Sequence, residues 1–155
     1  MTPEVMKEKA IEMMLKRFHC SQVVLAVAQE KLGGEPNPDL IKAMGPFGAG
    51  LGATGDVCGS VIGGLAVFGL IFSRAREDEK ESPMMWFYSR QFLRRFREEI
   101  GRGSLLCRDI IGVDWNDKDQ AGSFHGSEKY RKCLEISGET ARIVGEIIDN
   151  LRGKE

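Results

Sequence analysis

The chain has 155 residues, enough for one domain with a real core, so no cross-link is needed merely to hold it folded. Lys plus Arg number 22 against 23 for Asp plus Glu; this balance lacks the basic excess needed to track a phosphate backbone and excludes nucleic acid as the expected partner. The four cysteines point to metal, redox chemistry or core filling, because stable disulfides are uncommon in a reducing cytoplasm.

Met1 to Arg17 is dense in charge from Glu4 onward and lacks the apolar core of a secretory signal, which predicts a cytoplasmic protein. From Pro3 to about Lys31, Met6, Ala10, Met13, Cys20, Val24 and Val27 recur at helical spacing, so one helix is expected with Cys20 facing inward. Gly33-Gly34 ends it, Pro36-Asn37-Pro38 makes a turn, and Asp39 to Met44 fits a short helix closed by Gly45-Pro46.

The run from Gly45 to Gly55 is too rich in glycine to be regular and too rich in small apolar groups to be a solvated linker, which predicts a packed loop. Asp56 is the expected N-cap of a central helix from Val57 into Ser73, with Cys58 in its first turn. A thiol at a helix start faces unpaired N–H groups and the positive end of the dipole, and both favour thiolate. Gly55 and Gly59 leave the backbone bare beside this sulfur, so their amides and that of Ser60 are candidate contacts for a thiolate or an anionic cofactor. The stretch Val57 to Phe72 is broken by glycines and falls short of the roughly 20 residues that span a bilayer, so no membrane insertion is expected.

The mixed charges of Ser73 to Glu81 leave a helix extension and an exposed connection equally open. Ser82-Pro83 starts an amphipathic helix to about Ile100; Met85, Phe87, Tyr88, Phe92, Leu93 and Phe96 form its apolar side, and Arg90, Arg94, Arg95 and Arg97 its wet side. Ser104 caps a short helix through Ile111, where Cys107 shares a face with Ile110 and Ile111. Gly112 to Ser127 reads as a loop, and a last helix runs from Ser127 to about Leu151 with Cys133 on the edge of its apolar stripe.

Gly50-Leu51-Gly52-Ala53-Thr54-Gly55 spells G-x-G-x-x-G, but no strand feeds it, so the dinucleotide reading fails. Zinc sites usually draw on close pairs such as C-x-x-C, and none is present; its absence also argues against a thioredoxin-like dithiol. Taken singly, a buried cysteine is most often a small hydrophobe. His19 points away from Cys20 and reads as solvated, His125 as a surface group, and Trp86 and Trp115 as core or interface bulk. Arg17, one turn before Cys20, and Arg108, next to Cys107, are candidates to steady negative sulfur, although arginine on a helix usually forms only its wet face.

Cys20-Ser21-Gln22, the approach Phe47-Gly48-Ala49-Gly50-Leu51-Gly52, Cys58-Gly59-Ser60-Val61-Ile62-Gly63, Cys107-Arg108-Asp109-Ile110-Ile111-Gly112 and the late Cys133 together resemble the C_GCAxxG_C_C family of redox-active proteins. The resemblance spans most of the chain, with Ser60 where the family pattern has alanine. It implies a redox role for Cys20, Cys58, Cys107 and Cys133; family members often belong with transporters or oxidoreductases. The cysteine-bearing region is also similar to part of the split-Soret cytochromes, where cysteines hold an iron-sulfur centre, although their haem-binding portion has no counterpart here.

The expectation is therefore an all-α compact bundle of about five helices over residues 1–155, with a glycine-rich loop before the central helix. Its expected function is electron transfer through an iron-sulfur centre, most simply of two irons, or another metal centre, held by Cys20, Cys58, Cys107 and Cys133. The alternative is a thiol-disulfide oxidoreductase that uses the same cysteines in pairs with Cys58 as nucleophile. A helical interaction module with inert cysteines is the third reading. A redox partner protein is implied without being identified, and the small residues Gly59, Ser60, Gly63 and Gly64 leave a homo-oligomer open.

Overall fold

A computed structural model describes residues 1–154 as eight α-helices and two short 3-10 turns, with no strand among the described residues. The chain is all-α, as expected. The helices are α1 Pro3–Leu15, α2 Cys20–Leu32, α3 Pro38–Ala43, α4 Gly59–Phe72, α5 Met84–Glu99, α6 Cys107–Ile110, α7 Lys118–Ser123 and α8 Glu128–Arg152. No helix among the described residues is long and apolar enough to cross a membrane.

Local chemistry sets most of these boundaries. Thr2 Oγ1 accepts from the Val5 N–H and Pro3 opens α1; Asn37 Oδ1 caps α3; Ser127 caps α8 by accepting from Tyr130. Helix α2 ends on Gly33 at φ 99°.

The count exceeds five for two reasons. The single helix expected from Pro3 to Lys31 breaks between Leu15 and Cys20, where Arg17 takes φ 71°. Each half then follows its own neighbours, α1 lying along α8 and α2 against both α4 and α8. The free ends at the break are satisfied, one locally and one across the fold: the His19 N–H donates to Gln22 Oε1 at 3.0 Å, and Tyr130 Oη on α8 donates to the Met14 carbonyl at 2.8 Å. In the segment read as a loop, Asp117 accepts from the N–H groups of Asp119 and Gln120 and so starts α7.

Two caps also differ from expectation. Helix α4 begins at Gly59 with Cys58 as N-cap, because residues up to Cys58 run extended and pair elsewhere. Helix α6 is capped by Leu106, while Ser104 Oγ accepts the Leu106 N–H and donates to Asp109.

Phe68, Phe92 and Phe96 are wholly buried where α4 meets α5. A Cβ on Gly64 would lie 2.3 Å from the Phe92 ring and one on Gly63 2.6 Å from the Ser21 carbonyl, so these small residues serve contacts within the chain. The wet side of α5 is partly used as well: Arg95 bridges Glu99 and Glu146 of α8. Phe87 and Trp86, expected as apolar bulk, are 55% and 60% exposed.

Candidate functional site

Three of the four cysteines stand at helix starts: Cys20 opens α2, Cys58 caps α4 and Cys107 opens α6. What brings remote segments together is a short extended pairing. The Cys58 N–H donates to Leu105 O at 2.8 Å, the Cys107 N–H to Asp56 O at 2.8 Å and the Arg108 N–H to Gly55 O at 3.0 Å. Val57 and Leu106 form the antiparallel bridge at its centre. Cys133, in the first turns of α8, meets Cys20 through a hydrogen bond between the two sulfurs.

All four cysteines border one cavity of about 130 Å³. Its lining contains no carboxylate, whereas Arg17, His19 and His125 stand at its exposed rim. Aromatic groups complete the wall, with Phe124 packed edge-on to Trp115 at 4.9 Å and to Tyr130 at 5.5 Å between ring centres. All four thiols are free, and among the described residues no group of three or more His, Cys, Asp or Glu is arranged to hold one metal ion.

The glycine-rich loop forms one wall in an unusual conformation. After a 3-10 turn at Gly45–Phe47, five successive residues take positive φ: Ala49 at 51°, Gly50 at 69°, Leu51 at 62°, Gly52 at 65° and Ala53 at 60°. Three of these carry side chains, and left-handed backbone costs each about 1–2 kcal/mol. The turn is closed by Gly55 and Asp56, whose N–H groups donate to Ala49 O and Gly50 O. It aims the Ala49 amide at the Cys20 sulfur. Gly59 completes the approach, since a Cβ there would lie 2.5 Å from Cys20 Sγ and 2.9 Å from the Phe47 carbonyl.

Electrostatics separates the four thiols. Cys20 is lowered from 9.0 to about 7, first by the hydrogen bond from Cys133 and then, against burial, by the amides of Ala49, Ser21 and Ser60. Cys133 is correspondingly pushed well up, as donor to Cys20 and by burial. At Cys58 the amides of Ser60 and Val61 do favour thiolate, but burial and the charge of Cys20 outweigh them and raise it to about 12. Burial also raises Cys107, opposed by the neighbouring Trp115 indole, whose buried Nε1 has no hydrogen-bond partner. The favoured thiolate is therefore at Cys20; the helix-start effect at Cys58 is present and loses to desolvation.

A family profile described as "Putative redox-active protein (C_GCAxxG_C_C)" matches residues 18–147. The chain belongs to this family. No curated protein and no solved structure matches it.

Within this family member the structure brings Cys20, Cys58, Cys107, Cys133 and Gly59 to the cavity, and Arg17 with them. Ser60 contributes its amide to the Cys20 and Cys58 sulfurs, while its hydroxyl is turned away and donates to Ser137 Oγ at 3.2 Å. Gly55 and Arg108 border a separate outer groove instead. His19, His125 and Trp115 belong to the cavity, although the sequence reading set them aside. The available signal was their setting: His19 lies at the phase break between α1 and α2, and Trp115 is a lone aromatic in a run of Asp and Asn.

Proposed function

We propose that this cavity is a redox centre in which Cys20, Cys58, Cys107 and Cys133 hold an iron-sulfur cluster, most simply of two irons, and that the protein carries electrons. The observation that carries the reading is the convergence of four sulfurs, at the starts of α2, α4 and α6 and in α8, on one cavity with Arg17 at its rim and no carboxylate. Four cysteine ligands suffice for a two-iron cluster, and four sulfurs border this cavity.

When bound, such a cluster supplies one-electron exchange. The chain's own residues do the rest. Amides of Ala49, Ser21 and Ser60 point at Cys20, those of Ser60 and Val61 at Cys58, and the Trp115 indole at Cys107. These donors favour added negative charge on sulfur, and Arg17 favours it from the rim. Anaerobic purification followed by visible absorption and assay of iron and acid-labile sulfide tests the reading. Colour with iron and sulfide is expected, and Cys58→Ser should lose most of it, about tenfold or more, as for loss of a metal-shell contact. A colourless, iron-free preparation rejects the cluster.

A second reading rests on the hydrogen-bonded pair Cys20 and Cys133, with Cys20 lowered to about 7. Here the Cys20 thiolate is the nucleophile, and closing a Cys20–Cys133 disulfide releases two electrons and two protons to an external thiol-disulfide partner. Reversible loss of two titratable thiols without iron is its signature; Cys20→Ser would abolish it and Cys58→Ser would not.

A further inference from the structure

Helix α4 carries no charge from Gly59 to Phe72, and its only polar side chain, Ser60, is buried. A helix that is apolar all round belongs in an interior, yet one side of this one is left uncovered. Ser60 turns towards Ser137 of α8, Gly63 towards Ser21 of α2, and Gly64 and Phe68 towards Phe92 of α5. The remaining side carries Ile62, Leu65, Ala66 and Gly69, all half-buried, and Leu70, which is 48% exposed; their spacing makes one continuous stripe. Glycine disfavours a helix interior, and whereas Gly63 and Gly64 are required by close neighbours, a Cβ on Gly69 would meet nothing within 4 Å. The adjoining flank of α5 widens the stripe with Leu93, half-buried, and Trp86, exposed. A contiguous apolar face of this kind marks an interface.

The face is complementary to itself. Phe68 meets Phe92 at 5.7 Å between ring centres and Phe72 meets Tyr88 at 5.4 Å, so α4 and α5 run antiparallel with Val67 close to the level of Phe92. A twofold axis across both helices at that level sets Leu65 of one copy over Gly69 of the other, and Trp86 over Arg97, because each pair straddles it evenly, at about 3 Å and about 8 Å of helical rise. A large side chain then meets the open space at a glycine, and an indole meets a guanidinium. Arg97 is exposed, in contrast to Arg95, which Glu99 and Glu146 hold. We propose that α4 and α5 form the interface of a homodimer, in which two copies pack antiparallel about this axis. The two α4 starts, each with its Cys58, then point to opposite ends of the pair, so the dimer forms whatever the sulfur cavity holds.

Sedimentation equilibrium of the full chain, with thiols reduced, tests this. At about 50 µM, above the micromolar Kd of a small interface, a mass twice the 17.2 kDa of one chain is expected. Gly69→Glu buries an unpaired charge in the seam and should raise the dissociation constant at least about tenfold. The open space around Gly69 means that the urea midpoint of the diluted, monomeric chain should not fall in this variant. Arg97→Glu should weaken pairing about fivefold by loss of the cation–π contact, and Trp86→Arg in the same chain should restore it, since opposite charges again meet across the axis. A single-chain mass at this concentration overturns the proposal, and so does a dimer indifferent to Gly69→Glu. An Arg97→Glu variant that pairs as wild type does, or one that Trp86→Arg fails to rescue, overturns the antiparallel register and the proposal with it. Co-sedimentation of a monomeric chain with phosphatidylglycerol vesicles, abolished by Gly69→Glu, makes the face a lipid-binding one and overturns it too.

Discussion

The two ends of α4 follow different rules. Towards its C-terminus the helix buries Phe68 against Phe92 and Phe96 of α5, and apolar bulk fills the space. At its N-terminus, Cys58 and Gly59 border an open cavity, beside five residues of left-handed backbone and a buried indole N–H without an oxygen or nitrogen partner. A core built only for stability would fill that space and relax that turn. The helical end therefore supplies the free energy, and the sulfur end holds a geometry that stability alone does not explain.

The largest expected effect lies at the helical end. Phe92→Ala should cost about 3–5 kcal/mol through the cavity it leaves, read as a shift in urea midpoint. Iron bound per folded molecule should stay near wild type; a selective loss of iron would show that the two ends are not separate. Gly59→Ala inverts the pattern. Overpacking should cost about 1–3 kcal/mol, yet because the new methyl must displace Cys20 Sγ or the Phe47 carbonyl, cluster occupancy and Cys20 reactivity should fall far more than stability does. Wild-type occupancy in this variant would mean that the close approach of the α4 start to Cys20 has no role.

Alkaline pH sharpens the comparison. Cys58, Cys107 and Cys133 are all raised in the fold, so the unfolded chain loses their protons first, and stability of the iron-free protein should fall as pH climbs from 9.0 towards 12. Cys20 has the opposite sign: its contribution is fully present above 9.0 and is lost as pH falls through about 7. Urea titrations across this range should show a shallower alkaline decline in Cys58→Ala, and mass spectrometry after alkylation between pH 7 and 9 should find Cys20 labelled first. First labelling at Cys58 would reverse the assignment of the thiolate. The smallest effect is at Ser60→Ala, which installs the family's alanine: loss of the bond to Ser137 should cost about 0.5–1.5 kcal/mol in the same urea assay and leave the sulfur-directed amide in place.

How much could be read in advance follows the same division. Helices α5 and α8 were legible because Pro83, Ser127 and regular apolar spacing mark them locally. The break after α1 was not, since Arg17 carries no turn signal and takes positive φ only because α1 and α2 follow different partners. A packed glycine loop was expected, but its handedness was hidden by Ala49, Leu51 and Ala53, residues that seldom adopt it. The cysteines were found through their inward faces and the family resemblance. Arg17 was weighed as a partner for sulfur, whereas only the phase break at His19 and the isolated aromatic at Trp115 pointed towards the cavity, and His125 reaches it through tertiary placement alone.

The most direct measurement is anomalous diffraction at the iron edge from crystals grown without oxygen. The account predicts iron density inside the cavity, within bonding distance of all four Sγ atoms. An empty cavity with Cys20 and Cys133 joined as a disulfide would contradict it.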